Sequence, residues 1–275
     1  MNIHELHAAA DVRHCETIQQ EVWGISELEV VPINQLVAAG HAGGCILGAW
    51  NEHQLTGFIY GFPAFRPDRT PAHGLHSHMM AVLPEARGLG VGRQLKWGQR
   101  SWCLSRALNW VTWTFDPLQA RNARLNFEYF GVTASTYLEN VYGELTGHLN
   151  SGLPSDRLLV DWNLHALQVE ALSHGEAQPD ITYTLSESPF ALENIDGEPA
   201  NADLGLITPS VRVAVPQDIN ALKRYAPELA LRWRLEQRRV LNHYFAAGYH
   251  ISRFVSGIYL LTKDPLINSQ QAPLL

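Results

Sequence analysis

The sequence predicts an α/β protein, and three observations carry that reading. Short apolar runs rich in aromatic and β-branched residues recur up to Trp162. Stretches with apolar residues at helical spacing lie between them. One strand-like run passes through Pro84 into a glycine-rich turn, Arg87 to Arg93, that opens a helix.

Taken in order, Ala8 to Val22 reads as a helix, because Val12, Ile18 and Val22 share a face, and Gly24 stops it. Pro32 to Gly40 is a short helix or a loop. Gly43 to Trp50 and Leu55 to Phe65 form a hairpin around Asn51 and Glu52. Leu75 to Leu83 is a third strand, Gly90 to Leu108 a helix, and Trp110 to Phe115 (WVTWTF) a strand. Gln119 to Phe130 is a helix stopped at Gly131, and Thr133 to Tyr142 and Arg157 to Trp162 are strands around a loop-like Gly143 to Pro154. From His174 to Pro209 the chain is rich in Gly, Pro and polar residues, a long loop or linker with a few short strands. Val211 to Val215 is a strand, and Pro216 suits the first turn of the next helix. Pro227 breaks that helix, and a second piece, Glu228 to Ala247, carries the stripe Leu229, Trp233, Val240, Leu241 and Tyr244 up to Gly248. Ile251 to Val255 and Ile258 to Thr262 close the fold.

Composition mostly excludes. The 275 residues are 46% hydrophobic, suited to a sizeable core. No apolar run reaches the roughly 18 residues of a membrane-spanning helix, so no membrane partner is expected. A formal net charge of −7 disfavours nucleic acid as the main partner. The start, MNIHELHAAADVRH, lacks a basic segment followed by an apolar one, and the three widely spaced cysteines, Cys15, Cys45 and Cys103, suit a reducing compartment. A cytoplasmic location is the expectation.

The turn Arg87-Gly88-Leu89-Gly90-Val91-Gly92-Arg93 is the strongest local feature. A strand–turn–helix junction gathers backbone N–H groups beside the positive end of a helix, which favours phosphate or pyrophosphate. Glycine there spares the ligand a clash with Cβ. A P-loop would need Lys followed by Ser or Thr, and neither pair occurs. A dinucleotide turn would need a third glycine at Leu95 or Arg93. The coenzyme A pattern R/Q-x-x-G-x-G/A is met in full by Arg87, Gly90 and Gly92. The bland alternative is a strand–helix connector that favours glycine.

With MMAVLPEARGLGVGRQL, WVTWTF and NFEYFGV in this order, the sequence resembles the GCN5-related N-acetyltransferase (GNAT) superfamily. The resemblance is close over about 60 residues and follows element order over residues 1–162. It implies a mixed sheet splayed open between the strands at Met80 and Val111, with acyl-CoA in the split. Main chain at Met80, Ala81 and Val82 would hold the pantetheine, and Arg87, Gly88, Leu89, Gly90, Val91, Gly92 and Arg93 the pyrophosphate. The family's usual Asn is offset: Ala120 falls at its position, with Asn122 nearby. Phe127 stands where many members carry the Tyr that protonates the leaving thiolate, so Tyr129, Tyr137, Tyr142 or water takes that part. YLENVYG and PSDRLLVDW resemble a longer bacterial branch with a C-terminal extension, some of whose relatives use succinyl-CoA on amino acids. The implied division is a GNAT domain at 1–165, a linker at 166–209 and an α/β extension at 210–275 packed on the sheet.

The implied reaction moves an acyl group, acetyl or succinyl, from acyl-CoA to an amine of a small molecule, by direct attack and without a metal. The nucleophile must be a neutral amine, so a base is required. His76 and His78 share a strand face that Met80 continues, and either is a base candidate; the alternative is a packed or surface histidine. Glu85 is a further candidate whose alternative is a solvated loop carboxylate. His73 with His76 and His78 lacks diagnostic metal spacing. Arg232, Arg234, Arg238 and Arg239 form a solvated helix face or recognise a carboxylate, and Arg157 and Asp161 raise the same question. Trp97, Trp102 and Trp110 read as packing residues. The rival readings are another acceptor class, a non-enzymatic acyl-CoA-binding module, and a partner-binding protein. The last strands pair within the chain or across a homodimer.

Overall fold

A computed structural model describes residues 1–143 and 152–263. Residues 144–151 of the expected Gly143–Pro154 loop, and residues 264–275 of the expected C-terminal extension, lie outside the described residues. In chain order the first elements are β1 (Asn2–Glu5), α1 (Ala9–Trp23), α2 (Ile33–His41), β2 (Cys45–Asn51), β3 (Gln54–Phe65) and β4 (His73–Val82). A 3₁₀ turn (Pro84–Ala86) leads to α3 (Val91–Leu104) and β5 (Trp110–Phe115). Then come α4 (Ala120–Arg124) with a π-helical turn (Leu125–Tyr129), β6 (Thr133–Leu138), β7 (Arg157–Asn163), α5 (Leu167–Ser173) and α6 (Thr182–Glu187). The rest is β8 (Phe190–Ile195), β9 (Glu198–Ala200), β10 (Ser210–Ala214), α7 (Ile219–Tyr225), α8 (Pro227–Ala246), β11 (Tyr249–Val255) and β12 (Ile258–Lys263).

The chain forms two compact units. The first holds Met1–Trp113 and Trp162–Ala166; the second takes up the chain from Thr114, with Gly152–Asp161 and the residues from Leu167 on.

In the first unit the strands lie in the order β1-β2-β3-β4-β5, antiparallel up to β4, with β4 and β5 parallel. Alternation gives each strand two apolar faces. Ile46, Phe58, Tyr60 and Ala81 face α1 and α2, packing with Val12, Cys15, Ile18 and Leu36. Leu47, Met80 and Val82 lie on the other face, against Gly92 and Gly98 of α3. Gly24, at φ 62°, ends α1 in the left-handed conformation that glycine adopts at low cost.

In the second unit the order is β7-β6-β11-β12-β10-β8-β9, antiparallel except for the parallel β10–β8 pair. Helix α8 buries Trp233, Val240, Leu241 and Tyr244, as its spacing predicts, and also Ala230, Arg234 and Gln237. Leu229 is only half-buried.

Several elements differ from expectation. The stretch 166–209 holds two short helices, α5 and α6, beside the short strands β8 and β9. Helix α7 starts at Ile219, because the Asp218 carboxylate accepts from the N–H groups of Asn220 (2.9 Å) and Ala221 (3.0 Å); Pro216 lies outside the helix. The expected Gln119–Phe130 helix is one α turn followed by a π turn. The strand expected to Tyr142 stops at Leu138, where Asn140 turns the chain at φ 44°.

Candidate active site

The glycine turn grows out of the end of β4. The Leu83 N–H still donates to Thr56 O on β3 (2.9 Å), after which Ala86 N–H and Arg87 N–H close the 3₁₀ turn on Leu83 O and Pro84 O. Gly88 (φ 83°) and Gly90 (φ 78°) then turn left-handed, and Gly90 caps α3 with no side-chain acceptor. Among the described residues, no group accepts a hydrogen bond from the N–H of Gly88, Leu89, Gly90, Val91 or Gly92. Buried or not, such donors need a partner, and these adjoin the positive end of a 14-residue helix.

The three glycines differ in purpose. A Cβ on Gly88 would meet nothing within 4 Å, and one on Gly90 only the tip of Arg93 at 3.7 Å. Both open on free space. A Cβ on Gly92 would lie 3.4 Å from Met80 Cε, so this glycine serves the packing of α3 on β4 rather than ligand approach. Arg87 and Arg93 are exposed, and Arg87 Nε donates to Val82 O (3.2 Å).

Strands β4 and β5 pair only at Leu75–Val111 and His76–Thr112; among the described residues no register continues beyond. The two strands thus form a fork whose last rung is His76–Thr112. Main-chain groups alternate in direction along a strand. Leu83 points towards β3, as its bond to Thr56 shows, so Ala81 does too, and Met80 and Val82 present theirs to the fork.

A β-bulge changes the side-chain pattern. Met79 pairs with Tyr60 and Ser77 with Gly61, leaving His78 as the extra residue of β4. His76 and His78 both lie against Phe62, at ring distances of 5.2 and 5.6 Å. Met80 does not continue their face; the extra residue reverses the alternation and turns Met80 towards α3. His76 Nδ1 lies 3.0 Å from Thr112 Oγ1. Burial, helped by the charges of His78 and Lys96, lowers the His76 pKa to about 4, so its ring is neutral at neutral pH. His78 is also lowered by burial, although the residue as a whole is exposed. Glu85 is exposed in the 3₁₀ turn.

On the opposite face of the fork stands a residue that the sequence did not single out. Lys96 of α3 is 3% exposed, and its ammonium donates to Ser77 Oγ and Gln99 Oε1, both at 2.9 Å. It also sits 3.5 Å above the centre of the Trp113 ring. The one available signal was a lysine on the apolar stripe of α3 beside Leu95 and Gln99. The tryptophans are packing residues: Trp97 meets Trp162 at 5.6 Å, Arg106 covers Trp102 at 4.1 Å, and Trp110 Nε1 donates to Pro71 O at 2.9 Å.

The remaining candidates belong to the second unit. Tyr137 is buried and donates to the Asp156 carboxylate at 2.7 Å; burial is the main cause that raises its pKa far above the usual phenol range. That hydroxyl is committed within the fold and is a poor acid. Tyr142 is exposed, with the Arg157 guanidinium 5.2 Å from its ring centre. Asn122 is exposed on α4. Phe127 is fully buried between Phe115 and Tyr259. Arg234 pairs with Asp116 at 2.7 Å, and Arg238 grips Asp156 with two bonds of 2.8 Å, so these two are structural; Arg232 and Arg239 form exposed pairs with Glu198 and Glu236. Among the described residues, no group of three or more His, Cys, Asp or Glu side chains could hold a metal, and no helix is long and apolar enough to cross a membrane.

The model of the Acetyltransferase (GNAT) family matches residues 8–125. No curated protein matches the chain. Among solved structures, the chain is similar to a ribosomal-protein-alanine N-acetyltransferase from Brucella melitensis, at 21% identity and a TM-score of 0.48, covering 59% of this chain and 99% of that one. It is also similar to a GNAT family acetyltransferase from Elizabethkingia anophelis with acetyl-CoA bound, at 14% identity and a TM-score of 0.45, covering 59% of this chain and 97% of that one.

Proposed function

We propose, from the match of residues 8–125 to the model of the acetyltransferase (GNAT) family, that the protein is an acyl-CoA-dependent N-acyltransferase acting on an amine of a small molecule. The observation that carries the reading is the run of N–H groups from Gly88 to Gly92 without internal acceptors, at the head of α3. Such a nest suits a diphosphate, and Arg87 and Arg93 add positive charge beside it. The main chain of Met80 and Val82, turned to the fork, offers strand-like pairing to the amides of the pantetheine arm.

The chemistry asks little more of the protein. An amine nitrogen attacks the thioester carbonyl carbon, the C–S bond breaks, and the thiolate leaves. A thiol of ordinary pKa, about 8.5, needs weak acid help at most, so water can supply the proton where Phe127 cannot. The proton lost by the amine needs a neutral base. His78 fits better than His76: both rings are neutral near pH 7, but His78 is exposed to an incoming acceptor, while His76 is half-buried and tied to Thr112. Acetyl and succinyl are the acyl groups to test first.

The test measures CoA release from acetyl-CoA and succinyl-CoA against a panel of amino acids and amines. Turnover with a defined acceptor, lost in Gly90→Trp, is the expected result. Tight CoA retention with no turnover on any amine would favour a binding module instead. Unchanged CoA affinity in folded Gly90→Trp would remove the diphosphate assignment. For the base, His78→Ala should lower kcat and shift its pH profile; an unchanged profile removes His78.

A further inference from the structure

The fork between β4 and β5 is closed on its two faces by different devices. On the face of α1 and α2, His76 and Thr112 join their side chains across the last rung. On the face of α3, the next residue of each strand is Ser77 and Trp113. Main-chain pairing has ended there, and Lys96 takes hold of both.

The contacts of Lys96 account for the whole ammonium group. One N–H goes to Ser77 on β4, one to Gln99 on its own helix, and the third direction faces the Trp113 ring on β5. No carboxylate lies within ion-pair distance among the described residues. A buried lysine without a counter-ion is costly. A leucine or methionine would fill the same space more cheaply if packing were the only purpose. What the ammonium adds is a bond to each of the diverging strands from one rigid helix.

We infer that Lys96 is a positioning residue that sets the opening of the β4–β5 fork, by tying Ser77 and Trp113 to α3 where the strands stop pairing. The inference rests on the proposed binding of acyl-CoA in that fork. Its direct consequence is that the width of the fork, and with it CoA affinity, depends on the charge of one side chain. Burial lowers the Lys96 pKa to about 7. Cys45 on β2 and Cys103 on α3, and His76 on the other face of β4, are the titratable groups whose charge acts on it. Both thiols are held protonated by burial well above that range, and His76 is neutral. Between about pH 6 and 8.5 Lys96 is therefore the group of this cluster that changes charge. As the ammonium loses its proton, the attraction to Trp113 is lost and the grip on β5 weakens.

The test is calorimetric titration of CoA across pH 6 to 8.5 into the full chain, Lys96→Met and Ser77→Ala, with circular dichroism confirming the fold. The wild-type protein should bind CoA about tenfold more weakly at the upper pH than at the lower. Lys96→Met should bind weakly at both and lose that slope, while Ser77→Ala should keep the slope and lose part of the affinity. If Lys96→Met changes only the melting temperature and keeps the wild-type affinity and slope, the lysine is structural alone and the inference is overturned. If wild type and both variants bind CoA with the same affinity and pH dependence, the inference is wrong and the acyl-CoA reading stands. If the wild type does not bind CoA at any pH, that reading fails and this inference falls with it. Should Lys96→Met not fold, Ser77→Ala decides: wild-type affinity in it overturns the inference.

Discussion

Gly88 combines two demands that can be separated by experiment. Its φ of 83° penalises any Cβ by about 1–2 kcal/mol, and the space that a Cβ would enter is where the proposed diphosphate sits. Gly175 carries the same backbone strain, at φ 84°, with nothing within 4 Å of its Cβ position. Gly88→Ala and Gly175→Ala should therefore lower the unfolding free energy alike, by about 1 kcal/mol, while only Gly88→Ala weakens CoA binding. Equal CoA affinities would show that the turn is a connector. Tyr137 gives the opposite kind of case. Its hydroxyl is one of several donors to Asp156, which also takes two bonds from Arg238 and one from Asn140 N–H. Tyr137→Phe should cost about 1 kcal/mol of stability and leave kcat unchanged, and a fall in kcat with a shifted pH profile would restore Tyr137 as an acid.

At the scale of elements, what could be read from the sequence depended on whether the signal was local. Helix α3, its glycine turn, and strands β4 and β5 announce themselves through adjacent residues, and so does the Gly24 stop. The bulge at His78 does not: it arises because β3 and β4 differ by one residue between two rungs, which concerns two strands and is invisible in either alone. That one residue turned Met80 to the other face. Lys96 is likewise defined by neighbours on three elements. Helices α5 and α6, seven and six residues long, are too short to show a periodic face. The start of α7 is set by Asp218, two residues beyond the Pro216 that suits a first helical turn. Because the Asp218 carboxylate satisfies two N–H groups there, Asp218→Ala should cost about 1 kcal/mol in urea unfolding, and Pro216→Ala less. The reverse order would mean that the helix is set by the proline.

Over the whole molecule, buried titratable groups should shape stability against pH. His76 drops from 6.5 to about 4 on folding, so below 6.5 the unfolded chain binds more protons; stability is lost as pH falls through 4, by at most about 3 kcal/mol for this group. Lys96 drops from 10.5 to about 7, which again leaves the unfolded chain the better protonated between those values. Its contribution therefore rises with pH above 7. The thiols act in the other direction. Cys15 and Cys103 rise from 9.0 to about 12 and Cys45 also rises, so above pH 9 the unfolded chain sheds protons that the fold retains, and stability declines. Tyr137 and Tyr259, raised by burial, add to that decline above about pH 10. The urea midpoint should climb from pH 4 to 6.5, climb again from 7 to about 9, and then fall. Lys96→Met should raise the midpoint at pH 7 and remove the second climb without touching the first. A wild-type midpoint that is flat or falling between pH 7 and 9 would mean that Lys96 stays charged in the fold, and would leave its contacts with Ser77 and Trp113 without a titration near neutrality.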